Sequence, residues 1–194
     1  FVPDSLKVDS LRALLGFSNG YHFDFKAGQS PENDSLDQFK LIKNTPGAKL
    51  DFNAVAQGLA VDVLAELVEG KGGSNYMIEI GGEIRVNGKD NEGQHWHIGI
   101  DKPIENSNNE NRVIQEVVEL KDKSIATSGS YRKFYEKNGI KYSHTIDPRT
   151  GYPVKHSLLS VTVVADDCGT ADAMATAFMV MGTEKSKRWL KNHP

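Results

Sequence analysis

Short turns join strand-like segments of this chain to one another, with few helices between them. Asn138-Gly139 separates Phe134-Tyr135 from Ile140–Tyr142, which is a strong hairpin signal. Gly81-Gly82 lies between two further segments that have the composition of strands. Strands that follow one another through hairpins favour an antiparallel sheet. The sequence therefore predicts an α+β fold, in which a mostly antiparallel sheet is flanked by helices, with a single domain over residues 1–194.

Two segments carry strong helix signals. Val55–Glu69 places its apolar residues in a stripe along one face, with Asn53 able to cap the helix and Gly70 able to end it. Thr170–Met181 is the second helical segment, and Thr170 suits its cap. These segments supply helices that flank the predicted sheet.

Composition excludes several classes of protein. The 194 residues are 38% hydrophobic and 25% charged, which favours a folded globular chain over a disordered one. The net charge of −3 and the lack of a long basic run argue against a nucleic-acid partner. The lone Cys168 excludes an internal disulfide and a cysteine-based zinc site, and no stretch is apolar enough to span a membrane. Because the first residue is Phe1 rather than Met, we expect a fragment whose targeting signals lie outside these residues.

The segment Lys141–Pro153 brings chemically active side chains together on a stiff backbone. His144, Asp147 and Arg149 supply an imidazole, a carboxylate and a guanidinium, beside two tyrosines. Prolines and a glycine restrict or bend the main chain between them, which predicts a shaped loop rather than a strand or a helix. A polar surface turn accounts for the same residues without any chemistry.

Asp172 and Thr176 are four residues apart on the predicted helix and therefore share one face. A carboxylate and a hydroxyl are hard oxygen ligands of the type that Mg²⁺ prefers. One carboxylate is too few to hold the ion, so a metal here would arrive with a phosphorylated ligand. The alternative is that Asp172 lies in the first turn and complements the helix dipole.

Small residues mark places where a ligand could approach the main chain closely. Asp51–Gly58 joins a strand end to a helix start, where unpaired backbone groups accept anions; tight strand–helix packing is the alternative. Gly81-Gly82 would let a phosphate or a ring lie on the backbone, or would only turn a hairpin. Thr127–Ser130 resembles a small-residue anion loop but lacks the glycine and lysine pattern of a P-loop.

Six segments match motifs that occur together, in the same order and at similar spacing, in one protein family. They are Leu50–Asp62 (LDFNAVAQGLAVD), Tyr76–Gly88 (YMIEIGGEIRVNG), Trp96–Pro103 (WHIGIDKP), Thr127–Arg132 (TSGSYR), Tyr142–Pro153 (YSHTIDPRTGYP) and Ser160–Gly182, which contains TADAMAT. Together they resemble the FAD:protein FMN transferases, the ApbE family. The resemblance implies an ApbE-like, T-fold-like domain that lacks the family's N-terminal third.

The resemblance also implies an activity. Such enzymes depend on Mg²⁺, split FAD, join the FMN half through its phosphate to a threonine or serine hydroxyl of a target protein, and release AMP. The implied targets are subunits of envelope redox complexes, including Na⁺-translocating NADH:quinone reductases. The implied location is the cell envelope, facing the periplasm, as an inner-membrane lipoprotein in the full-length precursor, with membrane contact only through an N-terminal lipid anchor outside this chain.

Site residues follow from the resemblance position by position. The implied set is Asp172 and Thr176 as side-chain Mg²⁺ ligands, Ala54 as a ligand through its backbone carbonyl, Asp51, Gln57, Gly81, Gly82 and Ile146 as FAD contacts, and His144 beside the reacting phosphate. An imidazole in that place can accept the proton of the acceptor hydroxyl. Many relatives carry Lys or Glu where this chain has Gln57, so that contact with the cofactor differs.

Two other functions use the same residues. A Mg²⁺-dependent FAD pyrophosphatase would use water in place of threonine and give free FMN and AMP. A non-catalytic flavin-binding envelope protein would keep the fold without the chemistry. The sequence does not separate the two enzymes, but the combination of Asp172, Thr176 and His144 favours an enzyme over a binding protein, which has no need of all three.

Overall fold

The structure is a computed structural model that describes residues 4–12, 14, 22–27, 39–104, 112–130, 134–137, 140–143, 145–154 and 156–193. Its elements are α1 (Ser5–Arg12), β1 (Phe23–Ala27), β2 (Phe39–Lys43), α2 (Ala56–Gly70), β3 (Tyr76–Ile80), β4 (Glu83–Asn87), β5 (Trp96–Asp101), β6 (Ile114–Leu120), β7 (Ser124–Gly129), β8 (Phe134–Lys137), β9 (Ile140–Ser143), β10 (Ile146–Asp147), β11 (Tyr152–Pro153), β12 (Ser160–Ala165), α3 (Cys168–Met181) and α4 (Thr183–Asn192). Helices combined with antiparallel strands confirm the predicted α+β class.

The chain divides into two compact units. The smaller unit is Phe1–Leu50 with Ile146–Tyr152, and the larger unit is Asp51–Thr145 with Pro153–Pro194. The single-domain prediction stays a prediction. No helix in the described ranges has both the length and the apolar composition needed to cross a membrane.

In the smaller unit, β1 and β2 form an antiparallel ribbon in which Phe23 lies opposite Lys43. At the end of α1, the Arg12 guanidinium donates a hydrogen bond from Nη2 to the Arg149 carbonyl at 3.0 Å. This bond fastens the turn after β10 to α1 within that unit.

The larger unit is built on a four-stranded antiparallel sheet in the order β12-β7-β4-β3. The predicted hairpin at Gly81-Gly82 joins β3 to β4, and Asn138-Gly139 lies between the paired strands β8 and β9, so both hairpin predictions are confirmed at the level of strand pairing. Strands β5 and β6 form a separate antiparallel ribbon. Side chains from this ribbon and from the sheet share one core cluster, made of Val86, Ile98, Leu120 and Ile125.

Helices α2 and α3 pack on each other and on the sheet, α3 against β7 and β12 and α2 against β3 and β4. The two helices approach closely at Gly58, where an added Cβ would lie 2.3 Å from the Cys168 carbonyl oxygen. Only glycine fits at this point. The buried residues of α2 are Gly58, Val61, Asp62 and Ala65, whereas Leu59, Val63 and Leu67 of the predicted apolar stripe are each more than half exposed. The helix therefore presents its small residues, not its largest apolar ones, to α3.

Both helix starts differ from the prediction. The N-cap of α2 is Val55, whose apolar side chain makes no cap bond. Asn53 instead donates its backbone N–H and its side-chain amide to Asp51, at 2.8 and 3.3 Å. The residues just before α2 are turn and irregular backbone rather than a strand end. Helix α3 begins two residues before Thr170, and its N-cap is Asp167, whose carboxylate accepts the Thr170 N–H at 2.7 Å.

Candidate active site

Asp172 is buried where α3 meets α2. Its carboxylate is only 6% exposed, and Oδ2 accepts a hydrogen bond from the Gly58 N–H at 3.1 Å. Because α3 starts earlier than predicted, Asp172 lies beyond the first turn, which contains no acidic residue. The carboxylate is therefore held by a specific backbone donor of another helix and does not serve its own helix dipole. We call the region around this bond, formed by Gly58, Asp62, Cys168 and Asp172, the α2–α3 contact.

The bond to Asp172 also changes what Ala54 can do. In an α-helix the N–H of residue i donates to the carbonyl of residue i−4, so Gly58 N–H would pair with the Ala54 carbonyl if the helix began one residue earlier. Gly58 N–H donates to Asp172 instead, and the first recorded bonds of this helix go to the Phe52 and Val55 carbonyls. The Ala54 carbonyl consequently lacks its helical donor and remains available as an oxygen ligand.

Thr176 lies one turn after Asp172 on α3, and its hydroxyl is 2.9 Å from the Ser128 hydroxyl. Ser128 is on β7, so Thr127–Ser130, interpreted from its sequence as a possible anion loop, is mostly strand. A hydroxyl that pairs with another hydroxyl keeps a lone pair for a further contact. Thr176 therefore combines a structural partner with spare acceptor capacity.

Gly81 and Gly82 form the two-residue turn between β3 and β4, with φ of +66° and +105°. These values suit glycine and are those of a primed hairpin turn. A Cβ on Gly81 would lie 2.1 Å from the Gln57 amide nitrogen and 3.4 Å from Glu83 Oε2. The turn thus brings the end of the Gln57 side chain against the main chain. The two glycines also line a cavity of about 480 Å³, together with residues of β3, β5 and β7.

Glu83 is the first residue after that turn, and it is a buried carboxylate. It is 7% exposed, and its Oε2 has no hydrogen-bond partner among the described residues. Burial raises the pKa of Glu83 to about 7, and the charge of Asp172 adds to the rise. The sequence prediction did not include Glu83.

A second buried carboxylate holds the start of α3. Asp62 accepts the N–H groups of Cys168 and Gly169 at 2.9 and 2.8 Å, and it pairs with Arg85 Nη1 at 2.8 Å. Arg85 also lies 3.6 Å from Glu69. The Asp62 charge is therefore satisfied by two backbone donors and one guanidinium.

The sequence profile of the ApbE family matches residues 2–194. The chain belongs to the ApbE family. The membership inferred from the six motifs is thereby confirmed, and the relatives below share it.

Relatives of known name cover nearly all of this chain. The FAD:protein FMN transferase of Vibrio cholerae is 44% identical over 184 residues, which are 95% of this chain and 50% of that protein. That of Escherichia coli K12 is 38% identical over 186 residues, 96% of this chain and 49% of that protein. The chain thus spans about half the length of the curated relatives it matches.

Solved ApbE structures share the fold. The flavin transferase ApbE from Vibrio cholerae superposes with a TM-score of 0.75 at 37% identity, covering 97% of this chain and 54% of that one. The apo form of the Pseudomonas stutzeri flavinyl transferase ApbE gives a TM-score of 0.79 at 33% identity, covering 100% and 54%.

The site residues predicted for an ApbE protein divide into three groups. The first group lies in the larger unit. Asp51, which is exposed, and Ala54 come just before α2, and Gln57 is on that helix. Gly81 and Gly82 form the β3–β4 turn, and Asp172 and Thr176 are on α3. Ile146 belongs to the smaller unit, on β10, and is 46% exposed. His144 lies outside the described residues. All nine roles stay predictions.

The segment that holds His144 is less loop-like than its sequence predicts. Strands β9, β10 and β11 occupy much of it, and a turn joins β10 to β11. Asp147 shapes that turn, since its Oδ1 accepts both the Arg149 N–H and Nε at 2.9 Å. Arg149 Nη2 donates to Asp147 Oδ2 at 2.5 Å. For Asp147 and Arg149 these bonds agree with the alternative of a polar turn.

Sequence reasoning missed the roles of Asp62 and Glu83 and the pairing of Ser128 with Thr176. A charged residue on the face of α2 that also carries Gly58 and Ala65 was a usable signal for Asp62, because a helix face of small residues is suited to close packing. Glu83 follows the Gly81-Gly82 turn directly, and the hairpin fixes the side of the sheet on which its side chain lies. Ser128 lies inside the predicted anion loop Thr127–Ser130, but nothing in the sequence indicated that it pairs with Thr176.

Proposed function

We propose that this chain is the cation-binding part of an FAD:protein FMN transferase, which moves FMN from FAD to a threonine or serine hydroxyl of a target protein and releases AMP. The observation that carries the proposal is the buried Asp172, whose carboxylate accepts the Gly58 N–H, with Thr176 one turn further along the same helix. Membership of the family supports the chemistry, since relatives from two organisms bear this enzyme's name.

The donor set fits Mg²⁺. Asp172 and Thr176 offer hard oxygens on one helix face, and Ala54 offers a carbonyl whose helical donor is used elsewhere. Among the described residues no group of three or more His, Cys, Asp or Glu side chains is placed to hold a metal ion. The ion would therefore complete its coordination with water and phosphate oxygens. When bound, Mg²⁺ neutralises charge on the pyrophosphate and stabilises the departing AMP.

The transfer is a displacement at phosphorus. The acceptor hydroxyl oxygen forms a bond to the phosphorus of the FMN half, and the bond from that phosphorus to the bridging oxygen breaks. The bridging oxygen leaves with AMP, and the hydroxyl proton goes to a base, for which His144 is the proposed acceptor. Asp51, Gln57, Ile146 and the Gly81-Gly82 turn are the proposed contacts of FAD.

The proposed acceptor is a subunit of an envelope redox complex that bears the target threonine. The proposed location is the periplasmic face of the cell envelope, with an inner-membrane lipid anchor in the full-length precursor. Both rest on the resemblance alone. Fractionation of cells that produce the full-length protein tests the location, and recovery in the cytosolic fraction would count against it.

The decisive experiment combines the intact protein with FAD, Mg²⁺ and an acceptor protein that contains the target threonine. A transferase gives an acceptor band that stays flavin-fluorescent after denaturing electrophoresis, with one AMP released for each flavin attached. The matched control is the acceptor with its threonine replaced by valine, which must stay dark.

Two other outcomes would overturn the proposal. Release of free FMN and AMP with an unlabelled acceptor selects the FAD pyrophosphatase. Binding of FAD with no release of AMP at any Mg²⁺ concentration selects the non-catalytic flavin-binding protein.

A further inference from the structure

One oxygen of Glu83 is buried without a partner. The side chain is 7% exposed, and Oε2 accepts no hydrogen bond within the described part of the chain. Buried polar atoms are almost always paired, with protein or with ordered water, so each exception calls for an explanation. Glu83 Oε2 lies 3.4 Å from the point that a Cβ on Gly81 would occupy, and the Gln57 amide nitrogen is 2.1 Å from the same point. The orphaned oxygen is therefore beside two residues predicted to contact FAD.

The surrounding charges point to a cation. Asp62 Oδ1 accepts the Cys168 N–H at 2.9 Å, and a Cβ on Gly58 would lie 2.3 Å from the Cys168 carbonyl oxygen and 2.8 Å from the Asp172 Cβ. Burial raises the pKa of the Cys168 thiol to about 12, and the charges of Asp62, Glu83 and Asp172 add to the rise. Arg85 pairs with Asp62. Among the described residues, no lysine or arginine forms a salt bridge with either of the other two carboxylates. Two buried carboxyl groups thus lack the positive partner that would stabilise their charged forms.

We propose that Glu83 is a positioning residue of the cation site, and that its Oε2 accepts a hydrogen bond from a water molecule carried by the cation that Asp172 binds. The inference rests on the proposed function and adds a residue that the family resemblance did not supply. Mg²⁺ usually keeps several of its waters, so a second carboxylate that holds such a water suits this ion. Residues of this kind fix the geometry of the direct ligands and typically change metal affinity 10- to 100-fold when altered.

A merely structural role predicts something different. If Glu83 only supported the hairpin, replacing it would weaken folding and leave the response to Mg²⁺ unchanged. If it holds a cation-bound water, Glu83→Gln removes a repulsive charge beside Asp172 and raises the melting temperature without metal. The same variant then needs more Mg²⁺ to bind FAD. The two roles therefore predict different changes in the melting temperature and in the Mg²⁺ concentration that FAD binding requires.

The experiment measures FAD binding by equilibrium dialysis across a range of Mg²⁺ concentrations, with the intact protein. Glu83→Gln is expected to raise the Mg²⁺ concentration for half-maximal binding about 10-fold. Glu66→Gln is the control, because Glu66 is exposed on α2 and loses the same charge. It is expected to bind FAD with the wild-type dependence on Mg²⁺. Glu83→Asp keeps a carboxylate and is expected to fall between Glu83→Gln and wild type.

The outcomes separate this inference from the proposed function. A wild-type Mg²⁺ dependence in Glu83→Gln, together with loss of that dependence in Asp172→Asn, overturns the role of Glu83 and leaves the transferase proposal standing. Unchanged dependence in both variants overturns the cation site itself. If Glu83→Gln does not fold, as judged by circular dichroism, the inference fails unless Glu83→Asp folds and shows the intermediate shift.

Discussion

The backbone N–H of Gly58 on α2 donates a hydrogen bond to Oδ2 of Asp172 on α3, at 3.1 Å. One bond thereby does two things. It orients the carboxylate that is the main candidate for binding the cation, and it withdraws from Ala54 the donor that a longer helix would have given it. The geometry of the candidate site and the packing of the two helices therefore have a common origin.

Asp172→Asn tests the carboxylate with little change of shape. The amide oxygen of asparagine still accepts the Gly58 N–H, so the fold should persist, but the negative charge that would bind Mg²⁺ is lost. We expect the rate of flavin attachment to an acceptor to fall at least about 100-fold. The rate is followed by in-gel flavin fluorescence, with circular dichroism as the check on folding. A folded variant with wild-type rate would remove Asp172 from the mechanism.

Gly58→Ala tests how closely the helices approach. The added methyl group would lie 2.3 Å from the Cys168 carbonyl oxygen, which is backbone and cannot rotate away. We expect the free energy of unfolding to drop by at least about 3 kcal/mol, more than the gain in helix propensity restores. Gly70→Ala is the control at the far end of the same helix, since nothing lies within 4 Å of its added Cβ. Urea denaturation of both variants gives the comparison, and equal stability would show that the contact is looser than described.

Asp62→Ala tests the anchoring of α3. The substitution leaves two backbone N–H groups without their acceptor and Arg85 without its closest partner, which predicts a loss of about 3 kcal/mol in the free energy of unfolding. Asp166→Ala removes an acidic partner too, but from an exposed ion pair with Lys123, and is expected to change stability little. Thermal or urea denaturation distinguishes the two. Similar small losses in both variants would contradict the anchoring role.

Thr176 has two possible roles, and a pair of substitutions separates them. Thr176→Val removes the hydroxyl and should raise the Mg²⁺ concentration needed for activity, about 10-fold or more, if that hydroxyl binds the cation. Ser128→Ala removes only its hydrogen-bond partner and should leave the Mg²⁺ requirement close to wild type. The same increase in both variants would instead indicate that the hydroxyl pair acts by positioning the strand and helix. Thr176→Ser is expected to restore the wild-type requirement.

Cys168 predicts a loss of stability at alkaline pH. Burial raises the pKa of its thiol from 9.0 to about 12, so between these values the unfolded chain has released a proton that the folded chain keeps. The free energy of unfolding contributed by this group therefore falls as pH rises through that range, by about 2 kcal/mol between about pH 8 and about pH 10.5. Cys168→Ala should show a correspondingly smaller decrease. The raised pKa of Tyr76 affects both proteins equally and cancels in the comparison. Identical pH dependence in the two would contradict a buried, protonated thiol.

Local signals in the sequence were enough for two hairpins and for the presence of the two main helices. The glycine turn between β3 and β4 and the Asn138-Gly139 pair between β8 and β9 depend only on neighbouring residues, so both hairpins were predictable. The caps were not predictable, since Asn53 and Thr170 have suitable side chains but the helices begin elsewhere. The apolar stripe of α2 likewise gave a wrong prediction of the buried face. The face that packs against α3 contains Gly58 and Ala65, because leucines would keep the two helices apart.

The candidate site was predictable only where it follows helical periodicity. Asp172 and Thr176 are four residues apart, so their common face follows from the helix itself. Their partners are remote in sequence, and Gly58 is 114 residues from Asp172. The roles of Asp62 and Glu83 depend on which strand and helix meet in three dimensions, and no local pattern records that.

Asp62 accepts the free N–H groups at the start of α3, a helix that is synthesised more than 100 residues later. During translation α2 and the β3–β4 hairpin supply Asp62 and its guanidinium partner Arg85 before the two backbone N–H donors at the start of α3 have been made. Helix α3 then supplies its two free N–H groups and, on its next turns, Asp172 and Thr176. The candidate site is therefore latent through most of synthesis and becomes complete in one late step, when α3 docks.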